Sequence, residues 1–158
     1  MLLTPHTLVG IAIASAVPDM SVAAPVSFVM HFLGDLVPHW DFYSDTTEEQ
    51  RTKGWRPIAV MADLALGVAI GMFFTLYALW VLKDPHKALS IFLCGIASVL
   101  PDAMSGPALF TNKAPFPFKW VLAIQERLQF QAKLPWGIVT QVIVVVFCLG
   151  LILGSLIL

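Results

Sequence analysis

Apolar positions along this chain gather into long unbroken runs, without the two-residue alternation of a half-buried strand. Residues 137–158 carry no charge and read QVIVVVFCLGLILGSLIL after Thr140. At ~1.5 Å per residue such a helix reaches ~33 Å, enough for a ~30 Å hydrocarbon core. Residues 58–82 form a run of similar length, interrupted only by Asp63. Three shorter runs, 7–17, 22–37 and 88–100, each give ~16–25 Å of helix. They read as short tilted spans or as half-helices of a re-entrant hairpin sheltered by the long ones. Pro18, Pro38 and Pro101 follow them, and each is expected to end its helix, because the residue before a proline is pushed out of the helical region.

The connections differ in kind. Residues 39–57 (HWDFYSDTTEEQRTKGWRP) hold four of the ten acidic residues, and Asp45 with Glu48 resembles a capping box. In 105–136, Trp120, Val121, Ile124 and Leu128 share one side while Glu126, Gln129 and Lys133 lie elsewhere, which predicts an amphipathic helix at the membrane interface. Trp40, Tyr43, Trp55 and Trp136 flank apolar segments as interfacial aromatics do. Composition agrees: of 158 residues 58% are apolar and 12% charged, against ~25% charged in soluble domains. A net charge of −1 provides no basic footprint for nucleic acid. Cys94 and Cys148 sit inside apolar runs and read as hydrophobic filling, supporting neither a disulfide framework nor a thiolate metal site. Ala14-Ser15-Ala16 has the look of a signal cleavage site, but no Lys or Arg precedes the apolar run.

The expected fold is therefore all-α: one membrane domain over 1–158, a multi-pass transmembrane bundle of about five helices, some short or re-entrant, plus one interfacial helix. With helices at 4–17, 22–37, 58–82, 88–104 and 137–158, seven of the nine Lys and Arg residues fall on one side and Lys83 and Lys87 on the other. The positive-inside bias then puts the N-terminus in the cytoplasm and the C-terminus outside, in a plasma (inner) membrane. That topology brings His6, His31, Asp35, Asp63 and Asp102 to one membrane level, with His39 and Asp41 at the exit of the second helix. Asp19 falls on the opposite side, where His86 is expected to be solvated. An ionisable group at the bilayer centre costs ~2.5–3.5 kcal/mol on insertion scales, so such a set must pair, bind an ion or line water.

His31-x-x-x-Asp35 puts an imidazole and a carboxylate on one helical face, a turn apart. Zn²⁺ takes both donor types at ~2.0–2.2 Å; a histidine–aspartate hydrogen bond steadying the helix is the other reading. His6-x-x-x-Gly10 and Asp63-x-x-x-Gly67-x-x-x-Gly71 place a polar head on a small-residue packing stripe. Ile13-Ala14-Ser15-x-x-Pro18-Asp19 is echoed by Ile96-Ala97-Ser98-x-x-Pro101-Asp102, the pattern of a repeat or of two unrelated helix stops. His39 and Asp41 either extend the site or are solvated. No nucleophile elbow or phosphate-binding glycine loop occurs.

Thr4-Pro5-His6-x-x-x-Gly10, a Pro-Asp after the first helix, and His31-Phe-Leu-Gly-Asp35-Leu-Val-Pro-His39-Trp-Asp41 together resemble the predicted membrane-bound metal-dependent hydrolases, of which the LexA-regulated inner-membrane group is a branch. The likeness covers residues 4–41, and 95–104 weakly. It implies a small multi-helix membrane protein with His6, His31, Asp35 and Asp102 as metal ligands. The expectation is a hydrolase using a divalent ion, Zn before Mn or Fe, with Asp35 or Asp63 taking the proton of an activated water. Its substrate would be a phosphoester or lipid phosphate at the cytoplasmic interface. Membrane lipid is the expected partner, with self-association open. An ion- or proton-coupled carrier and a non-catalytic scaffold with a polar packing cluster remain alternatives.

Overall fold

The computed structural model describes residues 1–44, 46–110 and 116–157. Among them the chain is helical throughout, with no strand beyond an isolated bridge between His39 and Gln131. The helices are α1 (Leu3–Ala16), α2 (Met20–Asp35), α3 (Glu48–Thr52), α4 (Trp55–Trp80), α5 (Pro85–Phe110), α6 (Phe118–Leu128) and α7 (Trp136–Ile157). Three stretches are long and apolar enough to cross a membrane: Trp55–Trp80, Pro85–Ser105 and Trp136–Leu156; α1 is apolar but shorter.

The short α1 is the centre of the bundle, packed against α2, α4, α5 and α7. Its residues are apolar or small on every side, so none of its faces needs solvent, and His6, Leu8, Gly10, Ile11 and Ala14 are all buried. Gly10 is where α1 meets α5. A Cβ there would collide with the Cys94 carbonyl and lie 2.6 Å from Ser98 Oγ, so only glycine permits this close approach. Gly67 and Gly71 of α4 likewise face Thr7 of α1, as the small-residue stripes predict. Cys94 and Cys148 are free and buried in the apolar core with Leu8, Ile11, Phe74 and Ile152. The outer faces of α4 and α7 leave Phe73, Val142 and Val146 exposed, the inverse of a soluble bundle.

The first turn of α1 has backbone donors that its own sequence cannot satisfy. Pro5 has no N–H, and the others are met from outside. Leu2 N–H donates to Gln141 Oε1 of α7 at 2.9 Å. Leu3 N–H donates to Asp63 Oδ2 of α4 at 2.6 Å, and Thr4 N–H to Asp63 Oδ1 at 3.2 Å. At the other end the Ser15 carbonyl accepts from Lys87 Nζ at 2.9 Å and Ser155 Oγ at 2.7 Å. Both ends of the central helix are thus closed by its neighbours, which a low-dielectric surround demands.

Three expectations are corrected. Pro101 does not end a helix: α5 runs through it to Phe110. A proline inside a membrane helix is tolerated where neighbours take up the carbonyl groups it frees. The Pro-Asp echo is not a structural repeat, since Pro18-Asp19 forms the break before α2, where Asp19 accepts from Ser21 N–H at 2.8 Å, whereas Pro101-Asp102 is helical. The capping box in the 39–57 connection belongs to Thr47 and Gln50, which close the unanticipated α3; Asp45 of the expected pair lies outside the described residues.

Candidate metal centre

The polar groups near the start of α1 converge. His6 comes from α1, His31 and Asp35 from α2, Asp102 from α5, and all but Asp102 are fully buried. The rings of His6 and His31 stack with centroids 4.0 Å apart. One ligand atom each from His6, His31 and Asp102 can be chosen so that all lie within 4.8 Å of one another, a separation a single ion can bridge.

Hydrogen bonds settle which atoms face the centre. His31 Nδ1 is 2.7 Å from the Ser98 carbonyl oxygen. A carbonyl only accepts, so Nδ1 donates and Nε2 is the nitrogen left to face the centre. Ser98 lies on α5 one turn before Pro101, so α5 fixes the orientation of the His31 ring. Nε2 faces Asp35 Oδ2 and Asp102 Oδ1, each at 3.5 Å. The Asp102 separation is one that a single ion with bonds of ~2.0–2.2 Å would span. Asp35 Oδ1 is 3.2 Å from His6 Nε2 and 2.5 Å from the Met1 amino nitrogen.

Several buried polar atoms have no hydrogen-bond partner: His6 Nδ1, Asp35 Oδ2 and, from α6, Gln125 Oε1. Leaving such atoms unpaired is unfavourable by ~1–3 kcal/mol each, more for charged groups. Imidazole nitrogens and carboxylate oxygens converging in this way are a donor set a borderline divalent cation accepts. The residues present therefore fit a metal ion.

Other residues singled out by the sequence have different tasks. Asp63 is not in the cluster. Both its oxygens are spent on α1, and Thr4 Oγ1 also donates to Oδ1 at 2.6 Å. His39 is buried beside the centre, donating from Nδ1 to the Val37 carbonyl at 2.9 Å, with Nε2 2.8 Å from the Met1 amino nitrogen. Burial first, and that amino group second, hold its imidazole below the ordinary value. Asp41 only closes its own turn, accepting from Tyr43 N–H at 2.7 Å.

Gln125 is the member the sequence did not announce. Its Nε2 donates to Asp102 Oδ1 at 2.7 Å and to His31 Nε2 at 3.0 Å. The signal was available: Gln125 follows Val121 by four and lies between Ile124 and Leu128, a polar residue within the apolar side of α6. That side divides in the fold, for Val121 and Gln125 are buried whereas Trp120 is 60% exposed. After α6, Phe130 N–H donates to the Asp35 carbonyl at 2.9 Å and His39 N–H to the Phe130 carbonyl at 3.0 Å, covering the end of α2.

Comparison with protein-family models, with curated proteins and with solved structures finds no match to this chain.

Proposed function

We propose that this chain is a membrane-embedded, metal-dependent hydrolase of lipid phosphoesters, working at the cytoplasmic face of a plasma (inner) membrane. The observation that carries the reading is His31 Nε2, oriented by the Ser98 carbonyl and turned toward two carboxylates from different helices. His6, His31 and Asp102 would hold the ion, with Asp35 beside them. A bound divalent ion, Zn before Mn or Fe, supplies a water whose pKa is lowered toward ~7 and a Lewis acid for a phosphoryl oxygen. Asp35 Oδ2, buried and without a donor, is placed to accept a proton. Asp102, whose side chain is 25% exposed, marks the side open to water.

The lipid part of the reading rests on a cavity of about 430 Å³ between α1, α2 and α7. Val9, Ile13, Met30, Val144 and Phe147 line it, and at one end it reaches Met1 and Gly34, next to Asp35. Its size suits a small-molecule site and its wall is apolar, so an acyl chain lying there leaves its headgroup at the cluster. The orientation follows from the bias in Lys and Arg between the connections.

Purified protein in detergent is expected to retain Zn, Mn or Fe near stoichiometry and to release inorganic phosphate from phosphatidate in mixed micelles. A folded His31→Ala/Asp35→Ala double variant should lose both. Undiminished metal in that variant would exclude this site.

A further inference from the structure

Gln125 occupies an unusual place for a residue of an interfacial helix. It is 2% exposed, and its amide is wedged between two atoms of the proposed metal set. At 2.7 and 3.0 Å from those two atoms, the end of this side chain lies within the span that a single ion can bridge. Without a cation the nitrogen end belongs there, because His31 Nε2 and Asp102 Oδ1 are both acceptors and an NH₂ has two protons to give. The arrangement leaves Oε1 buried with no donor.

Resting on the metal reading above, we propose that Gln125 is itself a ligand, and that α6 thereby closes the coordination sphere. A cation drawing on the lone pairs of His31 and Asp102 removes both acceptors of the amide NH₂ and repels its protons. Turning the amide end for end brings Oε1, a hard oxygen donor, to the position Nε2 holds, with no movement of the helix. The orphaned oxygen gains its partner, and the set becomes two imidazoles, carboxylate oxygen and amide oxygen from α1, α2, α5 and α6. Metal occupancy then fastens α6 to α2 and α5.

The test uses the full chain in detergent micelles, with Zn²⁺ in competition against a chromophoric chelator and Co²⁺ as a visible-absorption probe. Gln125→Ala is expected to weaken Zn²⁺ about 10–100-fold and to move the Co²⁺ spectrum toward the stronger bands of a lower coordination number. Gln125→Glu, which keeps an oxygen in place, should bind as tightly as the parent or tighter and keep its Co²⁺ spectrum. Alanine binding as tight as the parent with an unchanged spectrum overturns the proposal, while loss of metal in His31→Ala leaves the metal reading standing. Should Gln125→Ala fail to fold, weaker binding by Gln125→Glu overturns it alone. A parent protein that binds neither ion overturns both readings.

Discussion

The imidazoles of His6 and His31 lie face to face, centroids 4.0 Å apart and planes 23° from parallel. They belong to different helices, and His31 is held by the Ser98 carbonyl. The contact therefore places two nitrogen donors before any metal arrives. His6→Ala is expected to weaken Zn²⁺ binding about tenfold or more, at least ~1.4 kcal/mol, while helicity by circular dichroism is unchanged. Full affinity in the variant would remove His6 from the ligand set.

Asp63 provides the contrasting case. Its carboxylate caps α1 from α4, placing negative charge at a helix N-terminus. Asp63→Ala should destabilise the fold by about 0.5–2 kcal/mol, the usual range for a lost cap, read as a lower thermal midpoint. Bound metal per chain should stay the same. A folded Asp63→Ala protein without metal would return this residue to the site.

Gly10 and Gly150 test the packing at opposite extremes. A Cβ at Gly10 meets α5, whereas a Cβ at Gly150 meets nothing within 4 Å. Gly10→Ala is expected to be destabilising by about 1–3 kcal/mol through overpacking. Gly150→Ala should be neutral or stabilising by a few tenths to ~1 kcal/mol. Chemical denaturation of the two variants in one detergent distinguishes them.

Asp19 gives a pH dependence at the opposite end of the bundle from the cluster. The Ser21 hydroxyl and then its N–H hold the Asp19 carboxyl below the usual range. A depressed folded pKa means stability that is present above the unfolded value of ~3.9 and lost as pH falls through the folded one. Asp19→Asn should abolish the acid shift of the Ser21 amide resonance in an NMR titration below about pH 4.

Much of this arrangement was legible before coordinates. Hydropathy and proline placed the helices, and the four-residue spacing of His31 and Asp35 predicted a shared face. Membrane depth can be read this way; direction around a helix axis cannot. Asp63 lies at the right level, yet points at the start of α1, because which neighbour a face meets depends on three-dimensional packing. Pro101 misled for a related reason: a proline stops an isolated helix, but its freed backbone can be served by a neighbour. Gln125 escaped because an amide carries no charge and α6 reads as a surface element.

The cap that Asp63 and Gln141 place on α1 bears on the order in which the protein is built. The innermost helix precedes in the chain the groups that satisfy its first turn, which lie 60 and 139 positions further along. A short segment beginning with unmet amide protons has no stable resting place in hydrocarbon on its own. The seat of α1 is therefore complete only once α4 and α7 are in place beside it, and His6, the group α1 adds to the polar cluster, depends on both.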